Sequence, residues 1–176
     1  DFENHLGKKV KKHILNSHGI MHFPEHQYDM VRIGIGLYGS YLDNNITPIS
    51  SFSSVISDIK NINKGDGVGY SSSYISSHEM QIAVVPVGYA DGLNRQFGNH
   101  VGSVYVSESQ CPIIGNISMD SFMIDVTNIN CKIGDHVEIF GKNISVSELA
   151  NKIDTIPYEI YSTLNRRIKR IYINKD

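Results

Sequence analysis

The chain has 176 residues, of which 40% are hydrophobic, and this length suits one domain or a small domain with a piece of another. Its net charge of −2 lacks the basic surplus that nucleic-acid-binding proteins usually carry, so no nucleic-acid partner is predicted. No apolar run approaches the roughly 18 residues that cross a bilayer, which excludes a membrane-spanning helix from the prediction. The sequence shows no signal peptide, and its first residue is Asp1 rather than Met, so we expect a piece of a longer protein.

The first forty residues predict short helices and a strand around a glycine-rich segment. Residues 2–13 are basic and resemble the end of a helix, and a second helical stretch runs to Phe23, where Pro24 stops it. Residues 30–33 are a strand candidate, followed closely by Gly34, Gly36 and Gly39. This order is typical of the end of an α/β barrel of the TIM type, where loops after the late strands often hold phosphate.

After a polar linker at residues 40–50, the pattern becomes mainly β. Short strands bounded by Gly, Asn or Asp indicate a small β-barrel or sandwich. The strands are predicted at residues 52–62, 82–87, 101–106, 112–114, 122–126 and 137–140. A repeated G-D-x-V pattern, at residues 65–68 and 134–137, indicates repeated turn chemistry rather than a true sequence repeat.

The last thirty residues predict two helices and a final strand. Ser145 and Glu148 match a capping box that begins a short helix, and Pro157 can begin a second helix through Leu164. The basic residues at 166, 167, 169 and 170 have apolar neighbours at 168 and 171–173, which favours solvated charges on a half-buried strand, and the last strand is predicted at residues 168–173.

The histidines and cysteines do not predict a metal site. His18, His22 and His26 are spaced by four residues, but Pro24 interrupts the second pair and no Glu or Cys completes a ligand set at a familiar spacing. The spacing of the only two cysteines, at positions 111 and 131, defines neither a zinc site nor a disulfide framework. A reduced, cytoplasmic compartment is therefore expected.

Three segments place tyrosines or a Met-Asp pair beside small residues just after strands, where scaffolds often present functional side chains. They are V-G-Y-S-S-S-Y at 68–74, V-G-Y-A-D-G-L-N-R at 87–95 and G-N-I-S-M-D-S-F-M-I-D at 115–125. Taken singly, each tyrosine is explained as a packing residue with a satisfied hydroxyl.

Taken in order, these segments resemble the alanine racemase family, as do H-I-L-N-S at 13–17, Y-D-M-V-R-I-G-I-G-L-Y-G at 28–39, P-Y-E-I at 157–160 and R-I-K-R at 167–170. The resemblance implies a C-terminal β domain preceded by the last segments of an α/β barrel, with residues 1–45 in the barrel and 46–176 in the β domain, although the last residues could return to the barrel. It implies an isomerase that interconverts L-alanine and D-alanine by a two-base mechanism with pyridoxal phosphate, supplying D-alanine for peptidoglycan. It also implies a homodimer with composite active sites.

The resemblance assigns roles to particular residues. Tyr70 would be the catalytic acid and base on one face of the substrate, because racemisation removes a proton from one face of a carbon and returns it on the other. Arg32 would face the pyridine nitrogen of the cofactor and, as a donor that does not give up its proton, would leave that nitrogen unprotonated. The substrate would be bound by Met119 through its backbone N–H, with Tyr89 and Asp120 beside it. The remaining cofactor-binding positions implied are Ser17, Gly34, Ile35, Tyr158, His13 and Asn16.

The sequence leaves open the choice of phenol and the exact function. Tyr74 is a second candidate phenol, although its place in the motif favours Tyr70. The family's cofactor lysine, followed by Ala, Asn, Ala and Tyr, is absent, so the chain is expected to be a partial enzyme, inactive alone. Alternatives are a racemase of serine or of broad specificity, or a non-catalytic β-barrel module.

Overall fold

The structure is a computed structural model and describes residues 2–39 and 46–173. The chain divides into two compact units, Asp1–Ile49 and Ser50–Asp176. Within the described residues, no helix has the length and apolar character needed to cross a membrane.

Over residues 2–39, the first unit contains two short α-helices and two 3₁₀ turns. The helices are α1 (Phe2–Leu6) and α2 (Ser17–His22), and the 3₁₀ turns are Pro24–His26 and Ile35–Tyr38. The predicted end of the second helix before Pro24 is confirmed. The strand predicted at residues 30–33 is wrong: the backbone N–H groups of Asp29 and Arg32 donate to Lys12 and Leu15, but this spacing of three does not match the two-residue period of a strand.

The second unit is built on an antiparallel sheet of seven strands, in the order β1-β9-β6-β7-β8-β5-β2, with β3 and β4 forming a separate hairpin. The strands are β1 (Phe52–Val55), β2 (Asp58–Ile62), β3 (Gly67–Val68), β4 (Tyr74–Ile75), β5 (Met80–Val85), β6 (Ser103–Val106), β7 (Ser109–Ile114), β8 (Phe122–Asp125) and β9 (His136–Phe140). The mainly β prediction is confirmed, with β3 and β4 as strands that the sequence pattern did not reveal.

The two edge strands of the sheet, β1 and β2, are consecutive in the chain. Only Ile56 and Ser57 separate them, and the N–H of Ile56 donates to Asp135 beside β9 while that of Ser57 donates to Val84 in β5. The stretch predicted as one strand over 52–62 therefore leaves one edge and joins the other, which curls the sheet into a half-barrel rather than a two-sheet sandwich.

Alternating side chains give the sheet two apolar faces. Ile113 and Ile124 belong to the main core, whereas their neighbours Ile114 and Met123 belong to a smaller cluster. Because successive side chains in a strand point to opposite faces, the smaller cluster lies on the other side of the sheet. This cluster also contains Val68 of β3 and Tyr74 of β4, so the hairpin is held against the sheet by burial of its apolar side chains.

Two helices follow the sheet, α3 (Val146–Lys152) and α4 (Pro157–Thr163). The predicted capping box is confirmed: Ser145 Oγ accepts the N–H of Glu148 at 3.1 Å, and Glu148 Oε2 accepts the N–H of Ser145 at 2.7 Å. Pro157 begins α4 as predicted. Both helices contribute side chains to the main core, including Leu149 and Ile160.

The strand predicted over residues 168–173 is wrong. The segment turns after α4, where the N–H of Ile168 donates to the carbonyl of Asn165, and no strand is formed up to residue 173. Ile168 packs against the core, but Ile171, Tyr172 and Ile173 are at least 72% exposed. The mixture of basic and apolar residues reflects one partly buried isoleucine and an arginine, Arg167, that binds carboxylates distant in sequence, and not a strand of the sheet.

The two G-D-x-V segments form matching turns. Gly65 and Gly134 have φ values of +93° and +91°, and the aspartate that follows each glycine accepts a backbone N–H three residues before it. The predicted repetition of turn chemistry is confirmed. Neither glycine has a neighbour within 4 Å of the position that a Cβ would occupy.

Gly92 has a similar backbone conformation in a crowded place. Its φ is +104°, and a Cβ there would overlap the carbonyl oxygen of Thr163 at the end of α4.

We expect Gly65→Ala to lower the free energy of unfolding by about 1–2 kcal/mol because of left-handed strain. Gly92→Ala should lower it by roughly 1–3 kcal/mol more because of overpacking. Urea unfolding followed by circular dichroism measures both. Equal losses of unfolding free energy in the two variants would show that the backbone at Thr163 moves away from the added Cβ without destabilising the fold.

Candidate active site

The Ser17 hydroxyl accepts hydrogen bonds from a glycine-rich turn in the first unit. Ser17 is 2% exposed, and its Oγ accepts the N–H of Gly34 at 2.8 Å and that of Gly36 at 3.3 Å. With both lone pairs occupied, the hydroxyl proton is left to donate. A Cβ at Gly34 would meet only Ser17 Oγ, at 4.0 Å, so there is open space over this backbone. A donor hydroxyl beside open backbone fits an anion such as a phosphate group.

Other predicted residues surround this turn. Arg32 is held by its own N–H, which donates to Leu15, and by Nη2, which donates to the carbonyl of Ile14 at 3.1 Å. Asn16 caps α2, since its Oδ1 accepts the N–H of Gly19 at 2.9 Å. The side chain of Ile35 is buried, at 3% exposure, whereas His13 is exposed. The hydrogen bonds of Ser17 and Arg32 thus hold the segments 14–17 and 32–36 beside each other.

In the second unit, the loop after β5 docks on the loop that contains Met119. The N–H of Tyr89 donates to Ser118 O and that of Ala90 to Met119 O, both at 3.0 Å. A Cβ on Gly88 would overlap the Met119 carbonyl, so this close approach requires glycine. In a trans peptide the N–H points opposite to the preceding C=O, so the Met119 N–H points away from this contact. Within residues 46–173 it meets no acceptor, and Met119 is 53% exposed.

One arginine joins the two loops to the segment after α4. Arg167 Nε donates to Asp91 Oδ1 at 2.6 Å, and Nη2 donates to Asp120 Oδ1 at 2.7 Å. Asp91 Oδ2 also accepts the N–H of Gly88 at 2.9 Å. Burial alone would raise the pKa of Asp91, but the hydrogen bonds from Arg167 and Gly88 outweigh it and hold that pKa below its ordinary value. Asp91 is therefore the ionised carboxylate to which both Arg167 and the Gly88 N–H donate.

Tyr70 lies on a turn between β3 and β4, at 73% exposure. Ser71 and Ser72 adopt φ values of +58° and +48°, which are uncommon for residues with a Cβ. The turn is tied to the third segment because Ser73 Oγ accepts the N–H of Asn116 at 2.9 Å. Tyr70, Met119 and the docked Tyr89 loop are thereby carried on connected turns.

The second candidate phenol has a different environment. Tyr74 is half-buried in the smaller apolar cluster, its hydroxyl lies 3.6 Å from Met80 Sδ, and its ring contacts His100 at a centroid distance of 5.4 Å. Tyr74 is a packing residue, which supports the preference for the exposed Tyr70.

Sequence reasoning missed the residues that hold these loops together. Asp91, Arg167, Ser73 and Asn116 all lie in segments that carry the resemblance, and the signal available was their place in those motifs. Arg167 was assigned instead to a solvated strand face. Tyr158 lies on α4 at 42% exposure, and Tyr89 has Arg95 over its ring at 5.9 Å. The roles of all these site residues stay predictions.

Comparison with known proteins gives the family. Residues 49–172 match the alanine racemase C-terminal domain, and residues 1–42 match the alanine racemase N-terminal domain. Alanine racemase 2 of Caldanaerobacter subterraneus is 40% identical over 173 residues, which cover 92% of this chain and 44% of that protein. The alanine racemase of Methanococcus maripaludis is 37% identical over 93% of this chain and 46% of its own length.

Solved structures give the same relationship. An alanine racemase from Bartonella henselae with covalently bound pyridoxal phosphate has a TM-score of 0.87 and 33% identity, over 98% of this chain and 50% of that one. The alanine racemase of a D-cycloserine-producing Streptomyces lavendulae has a TM-score of 0.92 and 28% identity, over 99% and 49%. The chain spans about half the length of these relatives. The predicted resemblance is confirmed: the chain belongs to the alanine racemase family.

Proposed function

We propose that this chain is part of an enzyme that interconverts L-alanine and D-alanine with pyridoxal phosphate and supplies D-alanine for peptidoglycan. The observation that carries the proposal is the exposed phenol of Tyr70 on a turn connected to the loop with the open N–H of Met119. A proton acceptor and a carboxylate-binding donor are two of the functions that racemisation of an amino acid requires. The homologues named alanine racemase support this substrate.

The first unit supplies the groups that would hold the cofactor. The hydroxyl proton of Ser17 and the open backbone at Gly34 suit the phosphate, with Ile35 beside them. Tyr158 belongs to the second unit, on α4, and is proposed as a further hydroxyl donor to the phosphate on the family resemblance alone. Arg32, anchored on the carbonyl of Ile14, would face the pyridine nitrogen. When bound, pyridoxal phosphate would withdraw electrons from the α-carbon and make its proton more acidic. His13 and Asn16 lie close by in sequence, and Asn16 orders α2.

The second unit supplies an acid–base group and substrate-binding groups. Tyr70 would take the α-proton of the L-enantiomer at its phenolic oxygen and return a proton to that face in the reverse direction. The Met119 N–H would donate to the substrate carboxylate, while Tyr89 and Asp120 line the approach. The opposite face needs a second base, which in the family is the cofactor lysine and which this sequence does not contain.

The enzyme is proposed to act as a cytoplasmic homodimer in which Tyr70 and Met119 serve the partner's cofactor, while Ser17, Arg32 and Tyr158 serve their own. The support is the family resemblance together with the linker at residues 40–50, which separates the glycine-rich segment from the β domain in the sequence. A two-fold dimer then has two equivalent composite sites. The free thiols of Cys111 and Cys131 suit a reducing compartment.

The function is tested by chirality-resolved assay of the full-length protein with pyridoxal phosphate. The kcat/KM for racemisation of L-alanine should exceed the kcat/KM for racemisation of L-serine. The present chain alone should form no D-alanine beyond that formed by free pyridoxal phosphate, because one of the two bases is missing. Preferential racemisation of serine would favour the serine alternative, and turnover by the chain alone would contradict the two-base proposal.

The choice of phenol is tested by Tyr70→Phe and Tyr74→Phe in the full-length enzyme. Removing a general base typically costs about 10²–10⁴-fold in rate, so Tyr70→Phe should lose that much, most of all in proton abstraction from L-alanine. Tyr74→Phe removes only a hydroxyl that faces Met80 and serves as the matched control. Comparable losses in the two variants, measured as kcat from each enantiomer, would show that Tyr70 has no special role.

The composite site is tested by mixing two inactive full-length variants, one without the cofactor lysine and one with Tyr70→Phe. If the tyrosine acts across the dimer, each mixed dimer has one site with both defects and one intact site, so activity returns. If it acts within its own subunit, every site keeps one defect. Mixed dimers are verified by differential tagging, and their inactivity would rule out the shared arrangement.

A further inference from the structure

We propose that Arg167 is a positioning residue for substrate binding. It holds the Met119 loop and the Tyr89 turn in the relative orientation that exposes the Met119 N–H to the substrate carboxylate. The inference rests on the proposed function, because it assigns that N–H to the substrate carboxylate. Arg167 itself lies on the segment after α4 and acts through Asp91 and Asp120.

The geometry uses two different nitrogens of one guanidinium. Nε reaches the carboxylate of Asp91 in the turn that carries Tyr89, and Nη2 reaches the carboxylate of Asp120, the residue after Met119. The planar guanidinium fixes the directions of its donors, so two carboxylates bound to it are fixed relative to each other. The ammonium group of a lysine carries freely rotating donors and would not fix the two carboxylates relative to each other.

Asp91 extends this arrangement into the backbone. Its Oδ2 accepts the N–H of Gly88, and its carbonyl accepts the N–H of Asn165, two residues before Arg167. The Asp91 side chain is 13% exposed, whereas that of Asp120 is 63% exposed. Asp91 thus anchors the arginine in a partly buried place, and the arginine then restrains the exposed Asp120 beside Met119.

Loss of the guanidinium changes two things at once. The Asp120 side chain loses its restraint, and two carboxylates that shared one cation are left facing each other without it. The backbone bonds from Tyr89 and Ala90 to the Met119 loop remain. The loop therefore stays docked but less well ordered, and the effect should fall on substrate binding more than on proton transfer.

The test uses the full-length enzyme with pyridoxal phosphate and the variants Arg167→Gln, Arg167→Lys and Arg166→Gln. For Arg167→Gln, we expect the KM for alanine to rise about tenfold with kcat within about threefold, the pattern of lost uniform binding. Arg167→Lys should recover part of the loss because it restores the charge without the fork. Arg166→Gln removes the same charge from an exposed neighbour that makes no ion pair among the described residues, and should leave KM unchanged.

A second measurement separates positioning from general stability. Propionate has the carbon skeleton and carboxylate of alanine without its amino group, so its inhibition constant reports carboxylate binding. That constant should rise with KM in Arg167→Gln, while the affinity for pyridoxal phosphate stays unchanged. Unchanged KM and propionate inhibition, with only a lower melting temperature, would overturn the inference.

The outcomes distinguish the inference from the function on which it depends. If the wild-type enzyme does not racemise alanine, the proposed function fails. If it does and Arg167→Gln binds alanine and propionate normally, only the inference fails. Should Arg167→Gln not fold, Asp120→Ala decides the matter: it removes the carboxylate that Arg167 holds beside Met119, and an unchanged KM and propionate inhibition in that variant would contradict the inference.

Discussion

The approach of Gly88 to the backbone of Met119 is the constraint on which the arrangement of the proposed site depends. Two hydrogen bonds from the Tyr89 and Ala90 N–H groups fix the direction of the carbonyls at residues 118 and 119. A side chain at position 88 would overlap both of those carbonyls, so this docking is available only to glycine. Because peptide groups are planar and trans, fixing the carbonyls also fixes where the Met119 N–H points.

Charge adds a second level of organisation around that contact. Arg167 connects two carboxylates from different loops, one of them partly buried and one exposed. Burial works against ionisation of Asp91, and the donors that converge on it reverse that effect. The buried hydroxyl of Ser17 orders backbone in a similar way in the first unit, because it accepts two backbone N–H groups of a glycine-rich turn. In both places, a side chain organises backbone that is proposed to bind an anionic group.

Much of the fold was readable from local sequence because its causes are local. Alternation of apolar residues revealed most strands, since the period of two separates one face of a strand from the other. Ser145 and Glu148 predicted the start of α3 because the capping box is made by residues three apart. The motifs around Tyr70, Tyr89 and Met119 predicted the family in their order along the chain, which the match over residues 49–172 confirmed.

By itself, then, the sequence determined the family, the mainly β character and the residues proposed to perform the chemistry. Tertiary structure alone decided how the sheet curls through Ile56 and Ser57, how Tyr74 is buried while Tyr70 stays exposed, and what Arg167 does. The carboxylates that bind Arg167 are 76 and 47 residues away along the chain. The local mixture of basic and apolar residues predicted a strand there because it reflects polarity alone, whereas an ion pair between distant segments depends on how the whole sheet brings their loops together.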